Sequence, residues 1–203
     1  MSSKDPKLYF EAVRSLLGNV PGWHVRGGSV VITDASLTAP TSEQIETAYT
    51  AVAAADKKEK LILSAQNHIN KSYPIHKQVR DLQKRNVYNS FFAEAGITNM
   101  DEAVRGALGK KKDLIGNIGK NVDVNQKATD AADGIQSGKI SKLPGRNNAA
   151  RRKNAKKMIR KMIEVDWKDT WIEACHIAAE EAIENNESSV TLPAFPTSLA
   201  NLE

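Results

Sequence analysis

The sequence contains few aromatic residues and one cysteine, and each scarcity excludes a class of structure. Aromatic residues make up 5% of the 203 residues, hydrophobic residues make up 40%, and alanine supplies much of that apolar fraction. This composition favours thin helix-on-helix packing over a core of large aromatic side chains. A single cysteine excludes a disulfide within the chain, as expected of a protein made in a reducing cytoplasm. No apolar run approaches about 18 residues, so the sequence predicts no membrane span.

The sequence also lacks a recognisable catalytic or metal-binding constellation. The four histidines have no ligand spacing and stand at His24, His68, His76 and His176. Cys175 precedes His176 directly, and adjacent side chains on a helix point about 100° apart, which is unsuited to chelating one metal ion. The stretch from Gly134 to Lys139 has three residues between its glycines, whereas a phosphate-binding loop has four. We therefore predict a non-enzymatic protein without a cofactor or metal site.

The clearest local pattern is a hairpin signal at Gly27-Gly28. Primed two-residue turns need positive φ angles, which glycine adopts at low cost, and apolar residues flank this pair on both sides. A turn here sets Trp23 opposite Ile32 and Val25 opposite Val30. All four side chains then share one face of the hairpin. Because an isolated two-stranded hairpin is only marginally stable in water, we expect this face to pack against a helix.

The helix that follows the hairpin is its predicted cover. Thr41 and Gln44 have the spacing of a capping box, which indicates a helix that begins at Ser42. We expect this helix to end before Pro74, because the residue that precedes a proline avoids the α region. The apolar residues at helical spacing that we expect to receive the hairpin are Ile45, Tyr49 and Val52.

Two further helices flank this unit in the sequence. Residues from Lys7 to Leu17 have an amphipathic pattern, and Asp5 is a predicted cap. Residues from Ile75 to Ala95 are also predicted to be helical, and Gly96 is predicted to end that helix. The residues of this second helix that we expect to be buried are Val79, Leu82, Tyr88 and Phe92.

The longest predicted helix extends from Asn147 to Asn186, a segment without proline or glycine. Cations crowd its first part and acids its second part, an arrangement that opposes the helix macrodipole. We expect its apolar stripe to be too long for so thin a core to cover, so that the helix contacts another subunit. The predicted partner-binding residues are Arg151, Arg152, Lys156 and Arg160 for charge steering, and Trp167 and Trp171 as aromatic anchors.

The predicted fold is mainly α, with an N-terminal β-hairpin docked on an amphipathic helix, several further helices and one long C-terminal helix. Residues 1–96 hold the N-terminal helix, the hairpin and a helical unit, and residues 97–145 form a glycine-containing flexible arm. Residues 146–187 form the long helix, and residues 188–203 form a C-terminal tail. Residues 106–145 lack aromatic side chains, so we expect short helices joined by mobile turns, or an arm that orders on a partner.

One pattern in the sequence resembles a known family. A hairpin of the form tryptophan, any residue, hydrophobic, arginine, glycine precedes proline, threonine, any residue and glutamate at a helix start. The residues in this pattern are Trp23, Val25, Arg26, Gly27, Pro40, Thr41, Glu43 and Ile45. They resemble small tail-fibre-associated and baseplate-associated proteins of tailed bacteriophages, and Trp167, Trp171 and Cys175 with the proline-containing tail resemble the C-terminal end of such proteins. The chain departs from the family pattern at Thr33-Asp34, where a second tryptophan is common.

This resemblance implies a structural virion component, an adaptor at the baseplate or fibre attachment of a phage tail. Its partners would be other tail, baseplate or fibre proteins, or a second copy of the chain, and it would be located in the virion tail after synthesis in the host cytoplasm. A basic helical nucleic-acid-binding protein is the alternative, because the run from Arg146 to Lys161 could contact phosphates. That run has no aromatic residues for base stacking. A chaperone of tail-fibre assembly is a third hypothesis.

Overall fold

The computed structural model describes residues 4–100, 104 and 124–196, and it confirms a mainly helical fold with one N-terminal hairpin. The elements are α1 (Pro6–Leu17), β1 (Trp23–Arg26), β2 (Ser29–Ile32), α2 (Ser42–Ser72), α3 (Ile75–Glu94), α4 (Val124–Asp133), α5 (Ser137–Ile140) and α6 (Asn148–Glu184). The chain divides into two compact units, Met1–Leu63 and Ser64–Glu203. The division falls inside α2, whereas the sequence placed its first segment boundary at residue 96.

The first unit begins with α1. Both ends of this helix are formed as the sequence predicts. The Asp5 carboxylate accepts hydrogen bonds from the backbone N–H groups of Lys7, at 2.8 Å, and Leu8, at 3.4 Å. These contacts satisfy N–H groups that have no partner within the helix. Gly18 ends α1 with a φ of 79°, a conformation that glycine adopts without steric cost.

The hairpin has the predicted register. Trp23 pairs with Ile32 and Val25 with Val30, and the turn residues Gly27 and Gly28 have φ values of 58° and 78°. The ring of Trp23 lies 5.4 Å from that of Phe10, so a residue of α1 contacts the hairpin, which the sequence did not indicate. The Trp23 side chain is only half-buried. Packing of the hairpin on Ile45, Tyr49 and Val52 stays a prediction.

The start of α2 is a capping box, as predicted. The Thr41 N–H donates to Gln44 Oε1 at 2.8 Å, and the Gln44 N–H donates to Thr41 Oγ1 at 3.2 Å. One turn further on, the Tyr49 hydroxyl accepts a hydrogen bond from the backbone N–H of Asp5 at 3.1 Å. The capped ends of α1 and α2 are therefore joined directly.

The second unit is organised around α6, which spans 37 residues and is capped by the Asn147 side chain, 2.9 Å from the Ala150 N–H. Its boundaries confirm the predicted helix. The expectation that its apolar stripe is too long for the chain to cover is wrong. The residues that α6 buries include Met158, Ile159, Met162, Ile163, Trp167, Trp171 and Cys175. Stretches of the chain without aromatic residues supply much of the cover.

Two short helices, α4 and α5, pack against α6. Ala128 and Ala132 of α4, Ile140 of α5, and Ile135 and Leu143 beside them belong to the same buried cluster as the middle of α6. The short helices expected in residues 124–145 are therefore confirmed, while the mobility expected of this arm in the free protein stays a prediction. Small and aliphatic side chains are sufficient at this place because they fit closely against a helix. Residues 106–123 lie outside the described part of the chain.

Residues 188–196, the described part of the C-terminal tail, pack within the second unit. The Pro193 carbonyl accepts a hydrogen bond from Trp171 Nε1 at 3.0 Å and lies 3.0 Å from His68 Nε2. The Phe195 ring meets the Trp171 ring edge-on at 4.9 Å and lies 6.0 Å from the Tyr73 ring. The tail thus completes a second buried cluster at the end of α2.

Candidate functional site: a polar cleft between α3 and α6

The face that α3 turns toward α6 is polar. Arg85 is only 7% exposed, while Val79 and Leu82, which the sequence predicted to be buried, are 48% and 47% exposed. Those two predictions are wrong, whereas Phe92 is buried and Tyr88 is partly buried, as expected. The reason lies in α6, which presents charged groups to this part of α3, and ion pairs there set which face of α3 is covered.

Two ion pairs join α3 to α6. Arg85 Nη2 lies 2.8 Å from Asp166 Oδ1, and both side chains are largely buried. Lys168 Nζ lies 2.8 Å from Asp81 Oδ2. Removing charges from water is costly, and a buried pair is tolerated only when each charge has its partner in place. These pairs therefore fix the register between the two helices more than they add to stability.

A tyrosine extends this network. The Tyr73 hydroxyl donates to Asp81 Oδ2 at 3.0 Å, and the Lys168 ammonium lies 4.9 Å from the centre of the Tyr73 ring. Burial, together with the hydrogen bond to Asp81, raises the pKa of Tyr73 well above its usual value. Burial also acts to raise the pKa of Asp81, but the hydrogen bond and charge of Lys168, with smaller effects of Tyr73 and Arg80, leave that pKa lowered. Tyr73 is therefore a neutral donor and Asp81 a carboxylate.

Beside these pairs lies a cleft with a volume of about 220 Å³. Its lining residues are Arg80, Asp81, Lys84, Arg85, Tyr88, Lys161, Glu164, Val165 and Lys168. Five of these carry positive charge and two carry negative charge. Glu164, which is buried, is within 3.0 Å of Arg160 Nε and 2.6 Å of Lys161 Nζ, so this carboxylate is already neutralised. The lining has a positive excess.

The four predicted steering cations are partly engaged within the chain. Arg151 Nη1 donates to Asn148 Oδ1 at 3.1 Å, Arg152 Nη1 lies 3.5 Å from the Ala132 carbonyl, and Arg160 pairs with Glu164. Each of these side chains, and that of Lys156, is half-buried. The structure thus brings Arg160 to the edge of the cleft and places Arg151 and Arg152 near the start of α6. The four do not form one exposed patch.

The two predicted aromatic anchors lie in the interior of the second unit. Trp167 is 1% exposed and Trp171 is 0% exposed, in the two separate buried clusters. Neither ring offers a surface to a partner in this conformation, so their role as interface anchors needs correction. They extend the buried stripe of α6, and the tail and neighbouring helices cover them.

The sequence contained a signal for the cleft that our interpretation missed. Gln78, Asp81, Arg85, Tyr88 and Phe92 recur at spacings of three and four residues, which places them on one helical face. Apolar residues at Ile75, Val79 and Leu82 recur at the same spacing, and burial of Val79 and Leu82 is the usual expectation for apolar side chains. Complementary charges on α6 determine which of the two faces of α3 is buried. The sequence of α3 alone does not show these charges.

The described residues offer no further site chemistry of a familiar kind. Cys175 is fully buried, and burial raises the pKa of its thiol to about 11, so it is an inert core residue. Across residues 4–100, 104 and 124–196, no cluster of three His, Cys, Asp or Glu side chains is placed to hold a metal ion. In the same part of the chain, no helix is sufficiently long and apolar to span a bilayer. No protein-family model, curated protein or solved structure matches the sequence.

Proposed function

We propose that this chain is a non-enzymatic structural adaptor of a phage tail that joins neighbouring subunits at the baseplate or fibre attachment. The tail location is supported by the sequence resemblance around Trp23 and Thr41. The adaptor role is supported by a surface on α3. This surface, the outer face of α3, consists of Ile75, Val79 and Leu82.

The outer face of α3 is the observation that carries the proposal. Each of its three large apolar side chains is at least 47% exposed, although all three stand on one face of a helix. Single exposed apolar residues are ordinary, whereas a group of them marks a surface that a partner covers. Ile75, Val79 and Leu82 follow one another at helical spacing, as residues do that enter a groove of a partner protein. This surface replaces Trp167 and Trp171 as the predicted contact.

The first experiment asks whether and where the protein resides in the particle. Purified virions are analysed by mass spectrometry and labelled with an antibody against this chain. We expect a small fixed copy number at the baseplate or fibre end of the tail. Absence from virions, combined with a need for the protein during fibre assembly, would support the chaperone hypothesis and contradict the adaptor.

The second experiment tests the outer face of α3. A Val79→Glu, Leu82→Glu variant should fold normally but fail to incorporate into tails, since two charges would have to be buried on association. The matched control is Leu16→Glu, Val20→Glu, which changes two comparably exposed apolar residues elsewhere in the chain. Equal incorporation of both variants would show that α3 does not bind the partner.

Nucleic-acid binding is the second candidate function. Lys153 and Lys157 are exposed on α6, one helical turn apart, and Lys156 is half-exposed beside them. Such a row of cations can contact phosphates without sequence preference. DNA retention that weakens steeply with salt and disappears in a Lys153→Gln, Lys157→Gln variant would favour this function over the adaptor.

A further inference from the structure

The cleft between α3 and α6 has an excess of positive charge, which favours the binding of an anion. Of its two carboxylates, Asp81 is held by Lys168 and Tyr73, and Glu164 is held by Arg160 and Lys161. Each carboxylate is therefore engaged by closer partners than the cations at the opening, where Arg80 lies 3.9 Å from Asp81.

Those cations stand on successive turns of α3. The Arg80 guanidinium is 3.9 Å from the nearer oxygen of Asp81, too far for a hydrogen bond, and its side chain is 60% exposed. Among the described residues, the Lys84 side chain has no hydrogen-bond or ion-pair partner. Residues four apart on a helix are neighbours, so the two charges face the same volume of the cleft. Their mutual repulsion is relieved by a shared anion.

We propose that this cleft binds a phosphate group, held by Arg80 and Lys84 at its opening with Lys161 across from them on α6. A guanidinium donates two parallel hydrogen bonds to phosphate oxygens, and an ammonium adds a compact charge. A dianion matches the two positive charges of Arg80 and Lys84 better than a single carboxylate does. The volume of about 220 Å³ accommodates several water molecules, each occupying about 30 Å³, and therefore a phosphate group with part of its hydration.

The walls of the cleft are fixed before the phosphate arrives. Arg85 is anchored to Asp166, and Lys168 to Asp81, so the backs of both helices are held in register. Binding then orders only the long side chains of Arg80 and Lys84, which limits its entropic cost. Tyr88, also in the lining, has a hydroxyl that can donate to a phosphate oxygen.

Titration of the full-length protein with inorganic phosphate at low ionic strength, followed by calorimetry and ³¹P line broadening, tests the site. We expect saturable binding of one phosphate per chain. An Arg80→Gln, Lys84→Gln variant should bind at least about tenfold more weakly, because charge-assisted hydrogen bonds are lost. Both side chains lie at the surface, so thermal unfolding should be unchanged in this variant.

The matched control is Lys58→Gln, Lys71→Gln, which removes two positive charges from exposed positions of α2 outside the cleft. It should bind phosphate as the native chain does. Absence of saturable binding, or equal weakening in both variants, would overturn the proposal, since the second result reports only the net charge.

Two probes separate the sources of the phosphate group. Phenyl phosphate represents a small phosphomonoester, and a short double-stranded DNA represents a backbone phosphate. Competition by phenyl phosphate alone assigns the site to small phosphorylated molecules, and competition by DNA that is lost in Arg80→Gln, Lys84→Gln assigns it to nucleic acid. Failure of both to displace inorganic phosphate would contradict a site for phosphate groups on larger molecules. Tail incorporation of the same variant separates this site from the adaptor role, which depends on Val79 and Leu82.

Discussion

The helices α3 and α6 face each other in the second unit, yet they differ in which side chains they bury. Helix α6 buries its apolar stripe, including both tryptophans, whereas α3 exposes Val79 and Leu82 and covers Arg85. The difference shows that a helix is not oriented by its own hydrophobic pattern alone. Where the neighbouring helix presents buried charge, leaving that charge unpaired costs more than exposing a few apolar side chains.

The largest loss of stability is expected from a substitution in the buried apolar stripe of α6. Trp171→Ala should lower the free energy of unfolding by about 3–5 kcal/mol, because it removes a fully buried ring that contacts Phe195. Urea unfolding measures this loss. Trp23→Ala is the matched control at a half-buried ring and should cost clearly less. Equal costs for the two variants would contradict the burial difference between them.

Breaking the buried ion pair between α3 and α6 should lower the free energy of unfolding by nearly as much. Arg85→Met leaves the Asp166 carboxylate in a largely buried position and should destabilise the fold by about 3–5 kcal/mol. The double variant Arg85→Met, Asp166→Leu should recover much of this loss, since it removes both charges together. Urea unfolding of both variants decides. A double variant no more stable than the single one would indicate that the ion pair itself supplies the stability.

A smaller effect is expected on the pH dependence of stability, to which two carboxyl groups near the ion pairs contribute. The pKa of Asp81 is lowered in the folded chain, so its carboxylate stabilises the fold above its ordinary pKa, and this contribution is lost as the pH falls through the lowered value. Asp81→Asn should therefore flatten the loss of stability in acid. Burial and the nearby charge of Asp166 raise the pKa of Asp169, so Asp169→Asn should act in the opposite direction. Thermal midpoints measured between pH 3 and pH 7 test both signs.

The smallest effect is expected on the outer face of α3. Val79→Gln and Leu82→Gln should each change the free energy of unfolding by no more than about 0.5 kcal/mol, because both side chains already lie in contact with solvent. Met162→Gln, at a fully buried position of α6, is the contrasting variant and should be severely destabilising. A large loss at Val79 or Leu82 would mean that α3 buries its apolar face after all.

The local elements could be predicted from the sequence because their signals are local. Glycine conformation placed the hairpin turn at Gly27-Gly28, and side-chain capping placed the starts of α1 and α2. The cleft could not be predicted in this way. The orientation of α3 depends on Asp166 and Lys168, which follow their partners Arg85 and Asp81 by more than 80 residues and become neighbours only in the folded chain.

Burial of residues 124–145 also depends on a neighbouring helix and not on their own composition. Without aromatic residues or a long apolar run, this stretch has the composition of a mobile segment, yet Ala128, Ala132 and Ile140 are buried against α6. Alanine allows two helices to approach closely, and each helix then covers apolar surface of the other. The signal was therefore the size of the side chains, which a count of aromatic residues does not detect.

The hydrogen bond from Trp171 to the Pro193 carbonyl has a consequence for the order of events during synthesis. The cluster around Trp171 takes one member from Ile69, near the end of α2, and another from Phe195. It cannot be completed until residues 193–195 have left the ribosome, whereas residues 4–63, which are synthesised earlier, contain the hairpin and the capped starts of two helices. Domains formed early in a nascent chain fold first. The second unit must therefore wait with an indole N–H exposed, and a ribosome that stalls before residue 193 leaves that part of the molecule unfinished.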